Sequence, residues 1–463
     1  MWLWGISTSS GSRRCVLRAG GAAVAVAELS HASTLGGHLE DLRGRAVLLA
    51  TREQWLTALA LIELDGVARR IVVCPPDLAP THVPAVIRDA ETDAIVCDAL
   101  SLERLAVHAH ITEQRVLLTD GTLAVCHLER RQSQDTEWVL LTSGTTGVPK
   151  LVLHTCDSLT NALTRTPPPA TTSVWSTFYD IRRYGGLQIF LRALRSATLV
   201  LSTSAEPVVE FLSRAGAAGV THISGTPSHW RRALMSGGAG SMSPVYVRLS
   251  GEIADQPILD SLHSAYPRAR IEHAFASTEA GFGFAVDDGK AGFPARLLLQ
   301  TGGDPELRII GGALHIRGSG TAMRYLGERA PDLRTSAGFV DTGDRLELRE
   351  GRYYFIGRSG GVINVGGLKV HPEEVEAVIN SHPRVRMSLV RARRSPITGA
   401  VVIADVVPTD DMSAGSGAAA AVLLGEIRHL CQRSLAAHKV PATIRFVTKL
   451  EMSVSGKLAR SNA

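Results

Sequence analysis

No two cysteines of this chain form a CxxC pair. The six present, Cys15, Cys74, Cys97, Cys126, Cys156 and Cys431, are scattered over 463 residues. That spacing argues against a zinc site and, in a chain this large, against a disulfide framework. A reducing, cytoplasmic setting is the expectation. Nor is there an apolar run of the ~18 residues that a membrane helix needs. Residues 20–27 are too short for one, and Arg13, Arg14 and Arg18 precede them. Those arginines imitate an export signal, but no convincing cleavage site follows, so no stable membrane anchor is expected. Blocks of five or more basic residues are absent too. Lys+Arg 49 against Asp+Glu 44 leaves a net charge of +5, read as a mildly basic surface and not as a nucleic-acid partner.

Hydrophobic residues make up 45% of the chain and charged residues 20%, which excludes a disordered, collagen-like or coiled-coil protein. At ~150 residues per domain, the length allows about three units, or one large and one small. Across residues 45–126, short β-branched runs alternate with amphipathic stretches: AVLLA, QWLTALALIEL, RRIVVCPP, DAIVCD, RVLLTD. This is the pattern of a mostly parallel sheet with helices on both faces. A second such series follows Ser173, and each run ends in a polar or glycine-rich turn, where α/β proteins place ligands.

Past Arg308, short alternating strands with glycine turns predict a small antiparallel β subdomain. PEEVEAVINSHP then reads as a helix with Pro372 near its start, followed by the strands SLVRAR and GAVVIADVVP. The Gly/Ala/Ser stretch 413–421 is expected as a loop, ahead of the helix LLGEIRHLCQRSLA and a strand around 443–447. The fold class is α/β. A large N-terminal domain of stacked, mostly parallel sheets with helices and a β subdomain spans 1–357, and a small α+β domain spans 358–463.

The most informative stretch is LLTSGTTGVPK, residues 140–150. Glycines let backbone N–H groups approach a phosphate closely, and Ser143, Thr145 and Thr146 add donors ahead of Lys150. The loop is not a Walker A motif, which needs GK followed by Ser or Thr; here Pro149 precedes Lys150 and Leu151 follows.

The loop resembles the TSGTTGxPK motif of the ANL superfamily of adenylate-forming enzymes: acyl-CoA and aryl-CoA ligases, peptide-synthetase adenylation domains and luciferases. Four more motifs follow in order. FASTE, residues 275–279, matches the aromatic-Gly-x-Thr-Glu motif, with Ala276 where glycine is usual. VDTGD ends at Asp344; GRSGGVINVGGLKVHPEEVE begins at Gly357; SVSGKLAR carries Lys457.

The resemblance implies a set of roles. Thr142, Ser143, Gly144, Thr145, Thr146, Gly147 and Lys150 cradle the ATP phosphates. Gly251, Glu252 and Ile253 line the adenine, with His273, Ala274 and Phe275 on its other side, and Ala276, Ser277 and Thr278 complete the AMP-binding set. Asp344 accepts from the ribose hydroxyls, and Arg358 stands beside the hinge. Glu279, following Thr278, holds Mg2+, and Lys457 bridges carboxylate and α-phosphate in the transition state. Thr278, Glu279 and Lys457 are the candidate catalytic set. The C-terminal domain is expected to be mobile: after adenylation it rotates and presents Gly366, Gly367 and Lys369 to CoA. Gly360 and Gly361 occupy the place where Asp or Lys is common at the hinge, a backbone compatible with large rotation.

Substrate choice is expected in TFYDIRRYGGLQ, where Tyr179, Arg182, Tyr184 and Gly185 are candidate contacts to the acid. The implied activity is an ATP-dependent carboxylate–CoA ligase that forms an acyl-AMP and pyrophosphate, then a thioester. The implied cofactors are ATP, Mg2+ and CoA, and the substrate is a small-molecule carboxylic acid. Transfer to a carrier-protein pantetheine or an amine is the rival, and a non-catalytic nucleotide-binding protein a more distant one. The identity of the acid and the oligomeric state, a homodimer included, stay open.

Overall fold

The computed structural model describes residues 3, 15–106, 115–126, 134–142, 149–166, 170, 172–195, 197–204, 206–299, 303–395, 399–409, 417–452 and 458. Two large sheets form the body. In the first, six parallel strands run in the order Arg270–Ser277, Tyr246–Ser250, His222–Gly225, Val174–Thr177, Thr198–Leu201 and Val16–Ala19. Antiparallel strands Gly281–Val286 and Ala22–Ala25 close its two edges. The second sheet has five parallel strands, Glu137–Thr142, Arg70–Val73, Ala46–Ala50, Ala94–Cys97 and Arg115–Leu118. Lys150–Thr155 and Arg324–Leu326 extend it antiparallel. Both β/α series read from the sequence therefore became parallel sheets.

Three helices, Gln54–Leu64, Cys156–Thr164 and Tyr184–Ala193, share one core with inward residues of both sheets, including Leu17, Val47, Trp138, Trp175 and Leu199. Gln54–Leu64 is buried almost all round, as a helix between two sheets must be. Its one carboxylate, Glu63, is kept wet by protein donors: Ser33 Oγ at 2.5 Å, and Thr34 N–H and Oγ1 at 2.9 and 2.6 Å.

The third sheet is antiparallel, as expected, and pairs Glu306–Ile310, Ala313–Arg317, Val340–Arg349, Arg352–Arg358 and Phe293–Pro294. Arg324–Leu326 leaves this region to join the second sheet. C-terminal to it, Pro372–Asn380 and Gly417–Ser434 pack on the sheet of Val385–Ser395, Gly399–Pro408 and Thr443–Phe446, with a core of their own around Val370, Val375, Ile379, Leu423 and Ile427. One expectation fails here. Residues 413–416 lie outside the described residues, and 417–421 open a helix and not a loop, because an alanine run has the highest helix propensity and continues into an apolar face.

Candidate active site

Thr142 and Lys150 are register partners at the ends of two antiparallel strands, so the backbone leaves and re-enters the second sheet at one point. Ser143, Gly144, Thr145, Thr146 and Gly147 lie outside the described residues. The Lys150 ammonium sits 4.9 Å from the ring centroid of Tyr325, and the Tyr325 hydroxyl donates to Glu279 Oε1 at 3.3 Å. Tyr325 is a site residue that the sequence motifs did not single out. Cross-strand pairing of its neighbours with Leu151 and Leu153 brings it beside the lysine.

Thr278 and Glu279 occupy the turn between Arg270–Ser277 and Gly281–Val286. A Thr-Glu pair alone suggests a helix start, but here it caps a hairpin. The turn is clamped on all sides. Ala280 N–H donates to Ser277 Oγ at 2.9 Å, Ala322 N–H to the Glu279 carbonyl at 2.9 Å, and His154 Nε2 lies 2.7 Å from the Thr278 carbonyl. A carbonyl only accepts, so His154 Nε2 carries the proton, and Nδ1 accepts from Ser158 Oγ at 2.9 Å. Burial pushes the His154 pKa down to about 4, only partly countered by the Thr278 carbonyl, so the ring is neutral at pH 7. His154 was not among the expected site residues either; its signal is a buried polar residue in an otherwise apolar strand.

Asp344 and Arg358 face each other across the antiparallel pair Val340–Arg349 and Arg352–Arg358, with Nε 3.0 Å from Oδ1. Burial works against the Arg358 charge, but the Asp344 carboxylate, with Glu279 further off, outweighs it and the pKa is raised. Gly251 turns the chain at the end of Tyr246–Ser250 with φ +87°, a left-handed conformation suited to glycine. The adjacent Glu252 uses both oxygens: Oε2 accepts from Ser228 N–H at 2.9 Å and Oε1 from Leu458 N–H at 3.1 Å. Lys457 itself lies outside the described residues. Ala274 pairs with Ala285, the register shifts between Phe275, opposite Phe284, and Ala276, opposite Phe282, and the Phe275 ring stacks on Phe355 at 5.3 Å. Ile253 is partly buried beside Glu252.

On the far side of this strand edge, Tyr179 donates its hydroxyl to the Ser250 carbonyl at 2.8 Å and meets the His229 ring edge-on at 5.9 Å. His229 Nδ1 accepts from Thr226 N–H at 3.1 Å, so the proton is on Nε2; burial holds the pKa near 3. Arg182 stands apart from these groups. Its guanidinium binds both oxygens of Asp180 and donates to the carbonyls of Thr51 and Arg52, which occupies four of its five N–H bonds. The expectation that Arg182 touches the acid is corrected by this geometry: it ties the loop to the second sheet. Tyr184 is buried at the start of Tyr184–Ala193. Gly185 has ordinary space, a Cβ there lying 3.6 Å from the Tyr179 ring, whereas one on Gly186 would come within 2.2 Å of the Asp180 carbonyl. The glycine that the loop requires is Gly186.

Residues 15–326 match the AMP-binding enzyme family and residues 374–457 its C-terminal domain. The chain belongs to the AMP-binding enzyme family. It is thus one of the adenylate-forming ANL enzymes, and the proteins it resembles include AMP-forming CoA ligases. The 2-succinylbenzoate–CoA ligase of Salmonella typhimurium is 28% identical over 356 residues, covering 75% of this chain and 73% of that one. The crystal structure of the anthranilate CoA ligase AuaEII with anthranoyl-AMP superposes with a TM-score of 0.79 at 18% identity, covering 98% and 94% of the two chains. The amide bond synthetase McbA from Marinactinospora thermotolerans gives 0.77 at 19% identity, covering 98% of each. At these identities the structures establish the shared fold.

In this AMP-binding enzyme, Gly366 and Gly367, at φ +58° and +87°, form the two-residue turn between Ile363–Val365 and Leu368–Val370. Both values are those of a primed hairpin turn. Lys369 is exposed on the returning strand, paired with Asn364. Among the described residues, no cluster of three or more His, Cys, Asp and Glu could hold a metal by itself. A single carboxylate such as Glu279, completed by substrate phosphates and water, is the donor set that suits Mg2+.

Proposed function

We propose that this enzyme is an ATP-dependent carboxylate–CoA ligase, an acid–thiol ligase that makes an acyl-AMP and then a thioester. The observation that carries the reading is the hydrogen bond from Leu458 N–H to Glu252. It seats the residue after Lys457 against the loop proposed to line the adenine. In the first step a substrate carboxylate oxygen attacks the α-phosphorus in line, and the bond to pyrophosphate breaks. Lys150 and the 143–147 loop hold the triphosphate, Asp344 the ribose, and Lys457 aligns the nucleophile while neutralising charge on the α-phosphate. His154 fixes the turn that aims Glu279. Mg2+, held by Glu279, supplies charge neutralisation of the phosphates when bound. In the second step a thiolate attacks the acyl carbonyl and AMP leaves, with the hinge beside Arg358 and the Gly366–Gly367 turn proposed to face CoA.

The test is pyrophosphate release from MgATP over aliphatic, aromatic and dicarboxylic acids, each with and without CoA. Acid-dependent release that rises with CoA and drops at least 100-fold in Lys457→Ala supports the ligase. Release indifferent to CoA directs the acyl group to a carrier protein or an amine, and no release with any acid overturns the proposal.

A further inference from the structure

Beneath the proposed nucleotide edge of the first sheet lies a buried cluster rich in hydrogen-bond donors. Register places Trp175, His222 and Tyr246 in one row across the sheet, and Thr177, Ser224 and Arg248 in the next row toward the strand ends. The helix Tyr184–Ala193 covers this face, with the Arg192 guanidinium 5.7 Å from the Trp175 ring. Trp175 Nε1 and Ser224 Oγ are buried and have no hydrogen-bond partner among the described residues. Among the described residues, Arg192 hydrogen-bonds only Thr166 Oγ1, at 3.5 Å. Burial, with the charge of Arg248 acting in the same direction, pulls the Arg192 pKa down to about 10, which leaves it cationic at pH 7.

Arg248 lies over the Phe282 ring at 5.2 Å, and its nearest carboxylate oxygen, Glu272 Oε1, is 3.6 Å from Nε. Glu272 is itself shared: it accepts from Tyr246 Oη at 2.6 Å and from Arg270 at 3.2 Å. Arg270 also pairs with Asp287 at 2.9 Å, both in solvent-exposed positions. Burial works against the Arg248 charge, but Tyr246 and Glu272 beside it outweigh that and its pKa is raised, so the interior cation with no ion pair among the described residues is Arg192. Orphaned donors and an excess cation in a low-dielectric site call for an anion. Strand spacing relates this cluster to the proposed site for the acid. Arg248 is two residues before Ser250 on the same strand face, ~7 Å deeper, and Tyr179 bridges to the Ser250 carbonyl above it.

We propose that Arg248 and Arg192, with Ser224 and Trp175, bind a second carboxylate of the acid substrate, so that the enzyme selects dicarboxylic acids. This rests on the ligase reading and adds the substrate class. An aliphatic or aromatic diacid of moderate length would present one carboxylate to ATP while the other reaches the arginines. Guanidinium–carboxylate pairing is planar and bidentate, which suits discrimination by charge and distance together.

The experiment compares pyrophosphate release with glutarate, adipate, isophthalate and terephthalate against the monomethyl ester of each. It uses the whole enzyme, Arg248→Gln and Arg192→Gln, with thermal melting to verify folding. The expected result is a kcat/KM at least tenfold higher for one or more diacids than for the matching ester, mainly through KM, and a ratio that falls at least tenfold in either variant. Arg192→Gln keeps the test decisive if Arg248→Gln, which deprives Glu272 of a partner, fails to fold. Esters that react as well as diacids, or an unchanged ratio in a folded variant, overturn the proposal and leave the ligase reading standing. Absence of release with every diacid and every ester, while monocarboxylic acids react, overturns it as well. Failure of all acids defeats both.

Discussion

Glu252 and Leu458, separated by 206 positions in the chain, meet through a hydrogen bond of 3.1 Å between a side-chain oxygen and a backbone amide. The same carboxylate caps Ser228 N–H at the start of Pro227–Met235. One side chain thus ties Leu458 to the strand edge that carries the loop proposed to line the adenine. Glu252→Ala removes the side-chain acceptor of two amides, each bond being worth ~0.5–3 kcal/mol. Acyl-AMP formation is expected to slow about tenfold or more, while thioester formation from supplied acyl-AMP is little changed; single-turnover assays of the two half-reactions check this.

Tyr325→Phe deletes the hydroxyl that donates to Glu279 but keeps the ring beside Lys150. A several-fold rise in the KM for MgATP, with the KM for the acid unchanged, is the expected outcome. Equal changes in both would place Tyr325 outside the nucleotide side.

Neutral His154 holds the Thr278 carbonyl with Nε2–H. Glutamine can place an amide N–H near the same point, so His154→Gln is expected to retain most activity and His154→Ala to lose at least tenfold. If both variants behave alike, the histidine only fills space.

Burial lowers the pKa of His154 and His222 to about 4 and of His229 to about 3. Unfolding returns each to an ordinary value near 6.5, so between that pH and about 4 the unfolded chain binds more protons. Their contribution to stability is complete above pH 6.5 and is lost as pH falls, by roughly 3 kcal/mol for each of the deeply buried His154 and His229 and by less for the partly exposed His222, which solvent screens. Melting temperature should therefore drop steadily from pH 6.5 to 4. A shallower drop in His154→Gln would assign its share, and an identical slope would deny it.

Gly186→Ala forces a Cβ onto the Asp180 carbonyl at 2.2 Å, whereas Gly185→Ala meets the Tyr179 ring at ordinary contact distance. The first is expected to cost about 1–3 kcal/mol or more and the second to be nearly neutral, as read from urea midpoints. The reverse order would contradict the described start of Tyr184–Ala193.

Local pattern carried much of this protein. β-branched runs separated by amphipathic stretches were enough to read parallel sheets, and Pro372 marked its helix, because backbone preference and burial period act over a few residues. The contiguous motifs at 140–150, 275–279 and 344 were legible for the same reason: backbone approach to a ligand needs particular residues in succession. The helical start of residues 417–421 was missed where a low-complexity stretch was read without regard to the propensity of alanine.

What pairs across the fold was not legible. Arg182 and Arg192 are both arginines near one helix, yet one has four of its five N–H bonds taken by Asp180 and two carbonyls and the other faces orphaned donors. Nothing local distinguishes them. Tyr325 reached Lys150 through sheet register, and Leu458 reached Glu252 through a side-chain hydrogen bond 206 positions apart in the chain. The sequence by itself determined the family, the fold class and the chemical groups on hand. Only the tertiary structure decided which charges are neutralised and which remain available, because electrostatic partnership depends on distance and burial in space and not on spacing along the chain.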